Sequence, residues 1–288
     1  MGDITRVGVI GAGLMGSGIA EVTARAGLDV VVVEADAAAA EAGRGRIEKS
    51  LGRGVDKGKL SAEERDAALA RLTFSTDLEA CADRQLVIEA VAENEALKLD
   101  VFGRLDKITE PEAILASNTS SLPITRLAMA TEHPERVLGL HFFNPVPVQK
   151  LVELIPSLLT GDDVAEKASA FASEVLGKTV VKAPDRAGFV VNALLIPYLL
   201  SAIRMVEAGH ATPEDIDNGM VLGCAHPMGP LRLADLVGLD TTKAVAESMY
   251  EEYKEPLYAP PPLLQRMVEA GLYGRKSGRG FYDYTRGE

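Results

Sequence analysis

The sequence is poor in cysteine. Cys81 and Cys224 are the only two and lie far apart. They fit no zinc spacing and no disulfide framework, and read as two reduced, packed thiols in a cytosolic protein. Positive charge is also short, with 30 Lys and Arg against 42 Asp and Glu, a net −12. A nucleic-acid backbone is held by clustered Lys and Arg, so nucleic-acid partners are excluded, while a local basic patch would still admit a small anion. No apolar run approaches the roughly 18 residues of a membrane span. The opening "MGDITRVGVIGAG" enters a strand at once, so no signal peptide is expected. No metal site is expected either.

Apolar residues, by contrast, make up 47% of the 288 positions, ample for a core and enough for one large domain or two modest ones. In the first half, continuous apolar runs at 7–10, 30–34, 72–75, 86–90, 114–117 and 137–141 alternate with helical patterns. Unbroken rather than alternating runs suit strands covered on both faces, as in a parallel α/β sheet. One connection is too long, and residues of about 37–71 read as an inserted helix pair projecting from the sheet. Gly52, Gly54 and Gly58 break its first helix; Ser61 with Glu64 forms a capping box for the second. Lys49, Arg53, Lys57 and Lys59 make a basic cluster there, either a solvated face or a contact for an anionic substrate tail. A strand-like "KTVVKAP" ends at Pro184. Beyond it come a long apolar helix containing Pro197 as a kink, a Thr212-Pro213 helix start, and further helical patterns with no strand alternation. The expected domains are 1–184, α/β, and 185–288, all-helical.

Four motifs carry chemistry. In "VGVIGAGLMGSGIA", Gly11, Gly13 and Gly16 follow a strand and open a helix, with Leu14 and Met15 between them. This is the Rossmann fingerprint, in which backbone N–H groups at a helix N-terminus meet a pyrophosphate. A second strand ends at Glu34, where a carboxylate accepts from adenosine ribose hydroxyls and repels a 2′-phosphate, so NAD is preferred to NADP. Ala90, ending another strand, joins the same site. In "ASNTSSL", Ser120 stands at a strand's C-terminal end, where open α/β sheets bind ligands; capping the next helix is the alternative. In "GLHFFNPVPVQKLVELI", His141 closes one apolar run and Glu153 stands alone in the next. The prolines between them would turn the chain, letting carboxylate and imidazole meet as an acid–base pair; a core histidine with an edge glutamate is the alternative. In "DRAGFVVNALLIP", Asn192 is a polar residue in an apolar helix, paired either with a ligand or with another helix.

Together with "IEAVAENEALK" and the tail "GRKSGRGFYDY", these segments resemble the L-3-hydroxyacyl-CoA dehydrogenase family over nearly the whole chain, most of all its bacterial branch acting on 3-hydroxybutyryl-CoA. The resemblance implies a Rossmann-type, mostly parallel sheet with an inserted helix pair, followed by an all-α domain. It implies NAD as cofactor and a short-chain acyl-CoA substrate. It implies His141 as acid/base with Glu153 as its partner, and Ser120 and Asn192 holding the reacting oxygen and the histidine. It adds Glu93, Lys98, Asn144 and Lys276 to the NAD site and gives Ser50 and Lys57 to coenzyme A. It further implies a cytoplasmic homodimer joined through the helical domain. The chain departs from the family where Ala193 stands in place of a common Arg. A sugar-acid dehydrogenase of the gulonate type and a non-enzymatic crystallin-like relative are the rival readings.

Overall fold

Short apolar runs become the strands of one eight-stranded sheet in the computed structural model, which describes residues 4–285. The chain divides into two compact units, the first ending at Asp185 and the second beginning at Arg186.

The first unit runs β1 (Arg6–Ile10), α1 (Leu14–Arg25), β2 (Asp29–Val33), α2 (Ala37–Asp56), α3 (Ala62–Ala70), β3 (Leu72–Ser75), β4 (Leu86–Glu89), α4 (Glu95–Ile108), β5 (Ile114–Ser117), α5 (Ile124–Ala128), β6 (Val137–Phe142), β7 (Leu151–Pro156), α6 (Asp162–Ala170) and β8 (Thr179–Lys182). The sheet order is β3-β2-β1-β4-β5-β6-β7-β8. Neighbours pair in parallel except β6 with β7. Strand order reverses at β1, with β2 on one side and β4 on the other, which is where open α/β sheets form a ligand crevice. Register aligns the C-terminal ends: Ile10 pairs with Glu89, Glu89 with Ser117, and Ser117 with Gly139. The loops after β1, β4, β5 and β6 therefore share one edge.

The inserted helices differ from expectation. Gly52 and Gly54 lie inside α2, which runs unbroken to Asp56; only Gly58, at φ +64°, follows its end. A glycine in a helix costs about 1 kcal/mol relative to alanine. Burial of Ile47 and Leu51 offsets this, since each such side chain contributes roughly 1.5–3 kcal/mol. Nor does the pair simply project. Ile47, Leu51 and Ala68 belong to the core of the sheet unit, and both helices pack on α1. Ser61 and Glu64 cap α3 reciprocally.

The second unit contains α7 (Val191–Glu207), α8 (Pro213–Cys224), α9 (Pro230–Val237), α10 (Leu239–Tyr253) and α11 (Pro262–Glu269). α7 continues through Pro197 and buries Leu199, Leu200 and Ile203 among the other helices. Thr212 caps α8, with Pro213 at its first position. The tail departs from pure helix: Arg279 bridges Gly274 and Asp283 in antiparallel fashion. Two buried carboxylates secure that tail. Asp235 accepts from the Phe281 and Tyr282 N–H groups and the Tyr284 hydroxyl, and Asp217 accepts from the Tyr282 hydroxyl. Among the described residues no helix is long and apolar enough to cross a membrane.

Candidate active site

The turn from β1 into α1 forms one wall of a cavity of about 770 Å³, a size that takes a large organic ligand. Gly11 has φ +91°, and a Cβ there would stand 2.8 Å from the Ala90 carbonyl oxygen. A Cβ on Gly16 would stand 1.8 Å from the Gly11 oxygen, so helix and loop approach this closely only with glycine. At Gly13 a Cβ would meet nothing within 4 Å, and Gly13 caps α1 without any side-chain bond. The first N–H groups of α1 are thus left to a ligand, with the positive end of the helix dipole behind them. Leu14, Met15, Glu34 and Ala90 line the same cavity. Glu34 is held in place: its carboxylate accepts from Ala12 N at 2.5 Å and Ala35 N at 3.1 Å. The open Gly13 face, the uncapped helix and the pinned carboxylate fit a dinucleotide.

A second group assembles where β5 and β6 end. His141 and Glu153 are direct partners in the antiparallel β6–β7 pair, so their side chains leave the sheet on the same face. His141 Nδ1 stands 2.8 Å from Glu153 Oε2, inside the reach of a hydrogen bond. The imidazole is buried and the carboxylate fully so. With the carboxylate accepting, Nδ1 carries the proton and Nε2 is left as the acceptor. Nε2 is 2.9 Å from Ser120 Oγ. The chain between the strands turns through a cis Asn144-Pro145 bond. The hydroxyl residues of "ASNTSSL" do not cap the following helix; Pro123 precedes α5 as an N-cap without a side-chain bond, and Asp185 accepts from Ile124 N and Thr125 N.

A buried Lys98–Glu89 ion pair follows β4 and reaches the more exposed Glu93. Lys98 is 1% exposed and places Nζ 2.6 Å from Glu89 Oε1 and 3.2 Å from Glu93 Oε2. Glu93 also accepts from the Thr119 hydroxyl, from Ser121 Oγ at 2.7 Å and from Ser120 N at 3.2 Å. Burial would raise the Glu93 carboxyl, but the Lys98 charge and the Thr119 and Ser121 hydroxyls outweigh it and hold it below the usual range. Glu89 escaped the reading of the sequence. Its signal is the one that singled out Glu153, a lone carboxylate ending an apolar strand.

Within the first unit, the other expected residues lie apart from these groups. Ser50 and Asn144 line a smaller cavity of about 190 Å³ with Arg46, Lys49 and Arg53. Ser50 hydrogen-bonds the buried Glu21, whose carboxyl is pushed up by burial against the pull of Ser50 and Arg25. Asn144 thus faces the side of Ser50, and the lining of the larger cavity does not include it. Lys57 is exposed at the C-cap of α2 and does not line the smaller cavity. In the second unit, Asn192 is half-buried in the first turn of α7 beside Ala193, and Lys276 Nζ pairs with Asp240 at 2.6 Å. Only one cysteine is packed: Cys81 is buried, whereas Cys224 ends α8 exposed. Among the described residues no His, Cys, Asp and Glu group could hold a metal.

Comparison with known proteins agrees along the chain. Residues 6–186 match the model of the 3-hydroxyacyl-CoA dehydrogenase NAD binding domain, and residues 188–284 that of its C-terminal domain. A 3-hydroxybutyryl-CoA dehydrogenase of Mycobacterium tuberculosis is 64% identical over 98% of this chain and 99% of its own length. A probable 3-hydroxybutyryl-CoA dehydrogenase of Bacillus subtilis is 49% identical, covering 98% of each. The crystal structure of FadB2 from M. tuberculosis superposes with a TM-score of 0.98 at 64% identity, over 99% of this chain and all of that one.

Proposed function

The chain belongs to the 3-hydroxyacyl-CoA dehydrogenase family, and from that premise we propose how its residues carry the reaction. It is an NAD-dependent oxidoreductase that interconverts (S)-3-hydroxyacyl-CoA and 3-oxoacyl-CoA, with 3-hydroxybutyryl-CoA and acetoacetyl-CoA as its short-chain pair. The observation that carries the catalytic reading is the line Ser120 Oγ, His141 Nε2, His141 Nδ1, Glu153 Oε2, with contacts of 2.9 and 2.8 Å.

A bound NAD would supply the hydride acceptor for C3 of the substrate. The protein's own residues manage the proton. In the oxidative direction His141 Nε2 accepts it from the 3-hydroxyl, and Glu153 stabilises the imidazolium across Nδ1. In the reductive direction the imidazolium returns it. Ser120, whose hydroxyl donates to Nε2 in the free site, turns to donate to the reacting oxygen at the point where charge develops. Gly11, Gly13, Gly16 and the α1 N-terminus would hold the NAD pyrophosphate, and Glu34 would receive the ribose hydroxyls. Ser50 serves coenzyme A, supported by the basic Arg46, Lys49 and Arg53 around the smaller cavity on an otherwise acidic chain, and Lys57 joins it by the resemblance. The roles of Asn192, Asn144 and Lys276 rest on the resemblance.

We also assign the protein to the cytoplasm as a homodimer through its helical unit. In support, Leu194 on α7 and Leu222 on α8 are 75% and 82% exposed, apolar surface that a second copy would cover. Light scattering tests the dimer.

The deciding assay is NADH consumption with acetoacetyl-CoA. His141→Ala should lose at least about 10²-fold in turnover while retaining NADH binding. Near-normal turnover would sink the acid/base assignment. Lys57→Glu should raise the KM for acetoacetyl-CoA and leave a short free hydroxy acid unaffected.

A further inference from the structure

Glu89 ends β4 with no solvent exposure, and the proposed reaction gives it no part. Its oxygens meet three donors: Lys98 Nζ at 2.6 Å, the Val91 N–H at 2.7 Å and Ser117 Oγ at 2.7 Å. Lys98 leans toward it and stands farther from Glu93. One ammonium is therefore shared unequally between two carboxylates. The less neutralised one, Glu93, is the one that grips the turn after β5 through Thr119, Ser120 N and Ser121. The same turn carries Ser120 to His141.

We propose that Glu89 is a positioning residue for the dehydrogenase reaction. By holding most of Lys98, it leaves Glu93 to anchor the 119–121 turn and so sets Ser120 against the imidazole. This inference rests on the dehydrogenase reading and on the place of Ser120 in it. Replacing Glu89 by Gln keeps the shape, and the amide still has an oxygen for Val91 N or Ser117. The buried Lys98 ammonium then has the half-exposed Glu93 as the remaining carboxylate of the pair and, pulling on its Oε2, turns the carboxylate so that Oε1 leaves the Thr119 and Ser121 hydroxyls, because a buried cation draws its one counter-charge more strongly than neutral donors do.

A buried ion pair that only stabilised the fold would lower stability without touching Ser120, and a double-mutant cycle separates the two cases. The turnover of wild type, Glu89→Gln, Ser120→Ala and the double variant is measured with acetoacetyl-CoA and NADH, alongside thermal unfolding. Glu89→Gln should lose about 10- to 100-fold in kcat, the scale of a misplaced catalytic group, with the KM for acetoacetyl-CoA nearly unchanged. In the Ser120→Ala background that loss should largely disappear, since groups in one network are not additive. Additive losses, or an unchanged kcat in Glu89→Gln, would overturn the proposal. Thr119→Val cuts the same connection beyond the ion pair. Should Glu89→Gln fail to fold, Thr119→Val must show the same kcat loss and the same non-additivity with Ser120→Ala, and a normal kcat in Thr119→Val overturns the proposal instead. Wild-type turnover in Ser120→Ala would overturn both this inference and the assignment of Ser120, and is told apart because it appears with Glu89 intact.

Discussion

Replacing Glu153 by Gln removes one charge and almost no volume at the point where the site is most buried. Glu153 is 0% exposed and its Oε2 stands 2.8 Å from His141 Nδ1. The amide oxygen of Gln can still accept from Nδ1–H, so the tautomer is kept. What is lost is the difference between a charge-assisted and a neutral hydrogen bond. The first contributes about 1.5–3 kcal/mol and the second about 0.5–1.5. A unit charge about 4 Å from the imidazolium is worth about 4 kcal/mol at an effective dielectric of 20, which sets the upper scale. A net loss of roughly 1–3 kcal/mol follows, and it falls where imidazolium forms, in oxidation of the hydroxyl. At 1.36 kcal/mol per tenfold, kcat should drop roughly 5- to 150-fold. The assay is NADH formation from (S)-3-hydroxybutyryl-CoA and NAD, with a stability measurement beside it. The KM for NAD should stay near wild type, because Glu153 is not among the residues lining the dinucleotide cavity. A folded variant with unchanged kcat would refute the reasoning, as would a loss confined to KM.

Three further outcomes follow from the packing. Gly139→Ala directs a Cβ at Ile124 Cδ1 and Ile155 Cβ, 2.9 and 3.0 Å away, and should cost about 1–3 kcal/mol of stability by chemical denaturation; a neutral effect would show that β6 and α5 separate easily. In a thiol titration of the native protein Cys224 should react and Cys81 should not, because burial pushes the Cys81 thiol up to about 12; two fast-reacting native thiols would contradict this. Asp106 on α4 accepts from Glu132 N at 2.7 Å and from Arg136 Nη2 at 2.8 Å. Burial would raise its carboxyl, but Arg136 and the Glu132 N–H outweigh burial and hold it below the ordinary value. A depressed folded pKa gives stability that is present above the unfolded value of about 3.9 and lost as pH falls through the folded one. Asp106→Asn should therefore flatten the acid limb of the stability curve and cost roughly 3 kcal/mol at neutral pH, since the buried Arg136 loses its counter-charge; an acid limb identical to wild type would refute the assignment.

The architecture was largely legible because its signals are local. Continuous apolar runs of four to six residues mark strands covered on both faces, and the glycine spacing at 11, 13 and 16 marks a turn that only a missing Cβ permits. Other features depended on partners distant in sequence. Gly52 and Gly54 read as helix breakers, yet α2 passes through them because Ile47 and Leu51 are held against α1 and α3. Cys224 was expected to be packed and is not, since a short apolar residue at a helix end carries no mark of which face it takes. Glu89 was overlooked although it stands at a strand end, because nothing near it in sequence says that Lys98 folds back over it.

By itself the sequence determined that a nucleotide-binding sheet precedes a helical region, and that a histidine and a glutamate stand on adjoining apolar runs. Whether those two meet was settled by strand register. Side chains alternate faces along a strand, so a slip of one residue between β6 and β7 would have turned Glu153 to the opposite face from His141. The antiparallel pairing sets them directly opposite, and the C-terminal ends of β4 and β5 bring Glu89, Ser117 and the Ser120 turn to the same edge. Composition and spacing supply the groups; only the tertiary hydrogen-bond ladder fixes the 2.8 and 2.9 Å separations at which they can exchange a proton.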